Sequence, residues 1–158
     1  MRYYGTVIRP PSEAQSYILQ ITYGCSHNRC TFCGTFLDKP FQTRPTNEVL
    51  EDITLAGQLM PDTRRVFLAD GDAMILSTSR LAHILDALNA GFHQLERVGI
   101  YANARGLLGK SAAELQLLHQ KGLGIVYMGL ESGNDEVLHS IDKGATSTEM
   151  IRAGSVKN

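Results

Sequence analysis

Three cysteines, Cys25, Cys30 and Cys33, crowd into the stretch Gly24-Cys-Ser-His-Asn-Arg-Cys-Thr-Phe-Cys-Gly34, and the sequence has no others. Closely spaced thiolates repel unless a cation holds them, and three cannot all pair within one chain. The spacing therefore favours a metal over a disulfide. Zinc would take the three thiolates with His27, or with an open fourth position. A four-iron cluster would take the same thiolates on three irons and leave the fourth iron open to a substrate or cofactor. Three incidental buried thiols would be the plain reading, and their clustering in a loop weighs against it. Arg29 and nearby backbone N–H groups are placed to offset the negative charge of a bound cluster.

The elements around this loop read as alternating strands and helices. Residues 1–15 form an irregular approach, with Pro10-Pro11 in it. Residues 16–23 are rich in β-formers and predict the first strand. A loop follows to about Pro45. Thr46 is the expected N-cap of a helix whose apolar face is Val49, Ile53, Ala56 and Met60. Residues 66–69 predict a strand, and a helix beginning near residues 77–79 carries Leu81, Ile84, Leu85 and Leu88 on one side. Residues 97–102 predict the next strand. Ser111 and Glu114 fit a capping box for a helix ending near Gly122. Residues 124–130 predict a fourth strand, residues 135–141 a helix, and Thr146 with Glu149 a last capping box. His83, His93, His119 and His139 are expected on the solvent side. Units recurring about every 30 residues, with strands that are apolar without alternation, give an α/β protein with a parallel sheet. Doubly wound sheets and βα barrels both fit. Either way, ligands collect at the C-terminal strand ends, where the cysteines, Asp70 to Asp72, Asn103 to Arg105 and Glu131 to Gly133 all fall.

The cysteine loop resembles that of the radical S-adenosylmethionine (radical SAM) enzymes. Their pattern spaces three cysteines by three and then two residues, with an aromatic before the last. Phe32 holds the aromatic place here and the second gap matches, while the first gap is four residues. The family's Gly-Gly-Glu-like turn after the second strand has its counterpart in Asp70-Gly71-Asp72. The run Gly-Leu-Glu-Ser-Gly-Asn-Asp-Glu-Val-Leu over residues 129–138, followed by Ile141 and Lys143-Gly144, is similar to the fourth strand and helix of members related to oxygen-independent coproporphyrinogen oxidase. The resemblance covers residues 16–153.

The resemblance implies a partial (β/α) barrel, with about four βα units of an expected six. It implies a four-iron cluster on Cys25, Cys30 and Cys33, with no catalytic side chain beyond these ligands. S-adenosylmethionine would chelate the open iron, with Phe32 beside its adenine. Asp70, Gly71 and Asp72 would serve its amino group, Arg105 its carboxylate, and Glu131 or Ser132 its ribose, with Asn103 close by. Reductive cleavage would give a 5′-deoxyadenosyl radical that abstracts hydrogen from a substrate the sequence does not identify. The electron would come from a donor such as flavodoxin or ferredoxin.

Each assignment has an ordinary structural counterpart. Asp-Gly is common in turns, Arg105 would serve as a surface cation, and Glu131 as a helix cap. Two other functions compete. One is a non-catalytic iron–sulfur or zinc-binding protein. The other is a P-loop protein, because Gly109-Lys110-Ser111 lies between a strand and a helix. Ala104 in place of the first glycine argues against the P-loop, and so does an acidic strand that precedes the loop.

Fifteen basic against 16 acidic side chains give a net charge of −1, which indicates neither nucleic acid nor an anionic membrane surface as partner. No apolar run is long enough for a transmembrane helix and no signal peptide is evident, so a cytoplasmic location is expected. The chain's 158 residues read as a single core domain, 1–158, incomplete at the C-terminus, with a fifth strand due near residue 154. The expectation is then either a fragment of a longer protein or a barrel completed by an oligomer or partner.

Overall fold

A computed structural model describes residues 1–155. The expected start of a fifth strand at the C-terminal end falls largely outside these residues. Four strands, β1 (Tyr17–Gln20), β4 (Arg65–Ala69), β5 (Arg97–Ala102) and β6 (Leu123–Met128), form one sheet in the spatial order β1-β4-β5-β6. Every pairing is parallel. Each strand joins beside its predecessor, as in a barrel wall, with no reversal of order of the kind that marks a doubly wound sheet. Helices α1 (Thr46–Leu59), α2 (Thr78–Gly91) and α4 (Ala112–Gln120) supply the connections. No described helix is long and apolar enough to cross a membrane.

Registered residues separate the two faces of the sheet. Leu19, Leu68, Ile100 and Val126 lie side by side and pack into the core beneath the helices. Val49, Ile53 and Ala56 of α1 and Leu81, Ile84, Leu85 and Leu88 of α2 complete that core, with Met60 at its margin. The helical periodicity of the sequence therefore marks the buried face. His83, His93, His119 and His139 are all exposed.

The opposite face is aromatic. The Phe67 ring meets Tyr101 edge-on at 4.8 Å between ring centres and Tyr127 at 5.9 Å. Gly99 leaves room on this face for the buried carboxylate of Glu13, which accepts hydrogen bonds from Arg97 (2.6 Å) and Tyr127 (2.7 Å). Glu13 ends a short 3-10 turn, Pro11–Glu13, within the stretch expected to be irregular.

Several boundaries differ from expectation. The strand expected over 16–23 divides in two. Its second half, β2 (Thr22–Tyr23), leaves the sheet and pairs antiparallel with β3 (Gln42–Thr43), inside the expected loop. This pairing clips together the base of the cysteine loop. Thr46 is the first residue of α1 and Pro45 holds the cap position, with no side-chain cap. Residues Ala104–Leu108 form a short helix, α3, capped by Asn103. Strand β6 ends at Met128, before Glu131, whose φ is +60°. Both capping boxes are present, Ser111 with Glu114 on α4 and Thr146 with Glu149 on α6 (Ser147–Gly154), and α5 (Asp135–Ser140) precedes the second.

Candidate functional site

All four parallel strands point their C-terminal ends at one rim, and the cysteine loop folds over it. The thiols of Cys25, Cys30 and Cys33 line a cavity of about 260 Å³. Its walls include Phe32 and Phe36 from the loop, Gly71 after β4, Tyr101 and Asn103 from the end of β5, and Tyr127 and Glu131 from the end of β6. The cysteines are free and half-buried. Burial pushes the Cys25 and Cys30 thiols above the ordinary cysteine range. Backbone N–H groups of Asn28 and His27 oppose the shift at Cys25, and the charge of Lys143 opposes it at Cys30.

The loop is fastened from two sides. From below, Asp72 binds it to β5. Its carboxylate accepts a short hydrogen bond from Ser26 Oγ, with Asn103 donating from its backbone N (3.0 Å) and from Nδ2 (2.7 Å). Burial raises the Asp72 pKa against the lowering effect of these bonds. From the far side, residues after α5 clamp the loop. Thr31 donates its backbone N–H to Ile141 O (2.9 Å), and His27 Nε2 lies 2.5 Å from Asp142 O. Gly144, at φ +73°, packs against the His27 ring, where a Cβ would come within 2.4 Å of it.

The expected site residues divide by position. Phe32, Gly71, Asn103 and Glu131 line the cavity with the three cysteines. Of the described residues expected at the site, Asp70, Asp72, Arg105 and Ser132 stand outside its lining. Asp70 is fully buried and pairs with Lys39, and Asp72 has both oxygens engaged as above. Arg105 is exposed beside a smaller pocket of about 100 Å³ that also holds Ser26 and Arg29. Ser132 Oγ accepts a hydrogen bond from the backbone N of Asn134. The Gly109-Lys110-Ser111 stretch holds no phosphate loop: Lys110 Nζ donates to the carbonyls of Met74 (2.7 Å) and Leu76 (2.9 Å).

The cavity also holds a cation that role-by-role reading of the sequence passed over. Lys143 Nζ lies 3.0 Å from Glu131 Oε1 and 6.0 Å from the centre of the Phe32 ring. The sequence signal was its place just beyond the run over residues 129–138. Tyr101 and Tyr127 were also missed as cavity walls, although they align across β5 and β6.

Residues 19–154 match the family model described as the radical SAM superfamily. The chain belongs to the radical SAM superfamily. These are enzymes whose cofactors are a four-iron cluster and S-adenosylmethionine. Solved structures share the fold of this radical SAM chain. The cobalamin-dependent S-adenosylmethionine radical enzyme OxsB with aqua-cobalamin bound superposes with a TM-score of 0.67 at 21% identity, over 88% of this chain and 22% of that one. OxsB with both aqua-cobalamin and S-adenosylmethionine bound gives 0.62 at 22% identity, over 92% of this chain and 22% of that one. The FeFe-hydrogenase maturase HydG from Carboxydothermus hydrogenoformans gives 0.51 at 14% identity, over 91% and 35%. The chain thus spans about a fifth of the length of the OxsB structures. Comparison with curated proteins finds no match.

The donor set fits a cluster in number and type: three cysteines line one cavity whose walls include the rings of Phe32, Phe36, Tyr101 and Tyr127. Among the described residues, no three His, Cys, Asp or Glu side chains already stand close enough to hold a metal ion. Gathering the thiols on a cluster requires the loop to tighten, as like-charged ligands do around a cation.

Proposed function

We propose that Cys25, Cys30 and Cys33 hold the four-iron cluster, that S-adenosylmethionine occupies the adjoining cavity, and that the protein carries out radical chemistry on a substrate presented at this rim. The observation that carries this reading is the convergence of all three thiols on one cavity at the C-terminal strand ends, in a chain of this family. Bound there, the two cofactors supply one-electron cleavage of the sulfonium bond and hydrogen abstraction from substrate.

The chain's own residues bind and orient. Phe32 offers a ring face to the adenine. Lys143 inside the cavity, rather than Arg105 outside it, is the cation for the methionine carboxylate. Glu131 holds Lys143 in place and presents its other oxygen to a ribose hydroxyl. Gly71 brings backbone close to the amino group, with Asp70 and Asp72 acting through the position of the turn. Tyr101, Tyr127 and Phe36 exclude water from the reaction space.

Anaerobic reconstitution with iron and sulfide, followed by dithionite and S-adenosylmethionine, tests this reading. Production of 5′-deoxyadenosine that is lost in Cys30→Ala supports it. Zinc bound in place of iron, or a cluster that cycles between redox states without cleaving the cofactor, overturns it.

A further inference from the structure

We infer that Asp70 and Lys39 form a staple that fixes the two feet of the cysteine loop, making Asp70 a positioning residue for the cluster thiols. This rests on the cluster reading above. The loop leaves β2 at Tyr23 and returns to β3 at Gln42. Its outgoing foot is Gly24, whose backbone N–H donates to Asp70 Oδ2 at 3.1 Å. Its returning foot is Lys39, whose ammonium donates to the same oxygen at 2.8 Å. Gln20 Nε2 adds a third donor at 3.1 Å. One buried carboxylate oxygen at the end of β4 therefore gathers both ends of the loop.

The two feet also touch. Gly24 has φ +66°, and a Cβ there would fall 2.3 Å from the carbonyl oxygen of Lys39, so only glycine fits. Cys25 follows Gly24 directly. A Cβ on Gly71, the residue after Asp70, would come within 3.1 Å of the Cys25 Cβ and 2.4 Å of the Phe36 ring. The turn carrying Asp70 is thus packed against the first cluster cysteine.

The pair is shielded from water. Asp70 is fully buried and the Lys39 side chain is 4% exposed. Lys39 Nζ also donates to Thr6 O at 2.6 Å, which extends the staple to the N-terminal segment. Removing one member of a buried ion pair leaves the other charge uncompensated, and this costs far more than an exposed pair would. A loop held at both feet has less freedom to lose when its thiols gather on a cluster.

Amide hydrogen exchange on the full chain, together with iron content and the electron paramagnetic resonance of the reconstituted, reduced protein, tests the staple in Asp70→Asn, Lys39→Met and Lys39→Arg. We expect exchange over residues 25–34 to rise roughly tenfold or more in the first two variants while β4 and β5 amides keep their protection. Iron per chain should fall below half and the cluster signal broaden, with Lys39→Arg restoring both. Unchanged loop exchange, unchanged iron content, or equal opening of loop and sheet overturns the staple. A Cys30→Ala chain that binds as much iron as the unaltered protein overturns the cluster reading instead, and the exchange result is independent of that outcome.

Discussion

At the scale of single residues, the site turns on which cation reaches the cavity. Lys143 lines both the cysteine cavity, with Glu131, Phe32 and Cys30, and the smaller pocket next to it, whereas Arg105 is exposed and lines the smaller pocket alone of the two. A charge-assisted hydrogen bond to a ligand contributes about 1.5–3 kcal/mol. Lys143→Met should therefore weaken S-adenosylmethionine binding to the reconstituted protein roughly ten- to a hundredfold, and Arg105→Met should leave it within about threefold. Equilibrium binding of the two variants checks this, and a larger loss in Arg105→Met than in Lys143→Met would return the role to Arg105. The structure sets all three cysteines on one cavity, and that they lie together was legible in the sequence because they share one short loop. Lys143 was not, since its role depends on how far the chain after α5 turns back over the loop. Asp70 and Asp72 were legible as polar groups at a strand end, but not as buried struts, because their donors come from residues 20–39 and 103.

At the scale of elements, caps and stripes transferred directly from sequence to structure. The apolar faces of α1 and α2 are buried as their spacing requires, and both capping boxes close. What did not transfer was set by tertiary pairing. Thr22–Tyr23 is as β-prone as the residues before it, yet it leaves the sheet because Gln42–Thr43 offers a partner. The α4 cap carries a pH signature. Glu114 is held at about 2, below its ordinary 4.5, first by the backbone N–H of Ser111 and then by the hydroxyls of Thr78 and Ser111. A depressed carboxylate lends stability that is complete above its unfolded pKa and is lost as pH falls through the folded value. Glu114→Gln should therefore flatten the acid limb of the stability profile between about pH 4.5 and pH 2, as read by urea unfolding across that range. Ser111→Ala should cost about 1 kcal/mol at neutral pH, the usual worth of an N-cap side chain. A Ser111→Ala chain as stable as the parent would show that packing alone holds α4.

At the scale of the molecule, the open sheet needs something on the face away from its helices, and the N-terminal segment provides part of it. Glu13 enters beneath the aromatic cluster, fully buried, and holds Arg97 and Tyr127 through one oxygen while Ser16 binds the other. Tyr127 in turn forms part of the cavity wall, so this ring joins the approach segment to the rim, beside Ile8 in the same wall and Thr6 on Lys39. Glu13→Ala strands the Arg97 guanidinium, leaves the Tyr127 hydroxyl with Ser12 Oγ (2.8 Å) as its one remaining partner among the described residues, and empties the space beside Gly99. A fully buried pair loses about 3–5 kcal/mol when one partner is removed, and Arg97 retains some contact with water, so the loss here should be about 2–4 kcal/mol. Urea unfolding should show the midpoint falling with an unchanged slope, because the same surface is exposed on unfolding. Tyr127→Phe alone should cost about 1 kcal/mol. If the three groups act as one network, the double variant will lose less than the sum of its parts, because removing Glu13 already removes the acceptor that the phenol serves. Strict additivity would mean that Glu13 supports the sheet through Arg97 alone, leaving Tyr127 to be held by Ser12, Phe67 and Tyr101.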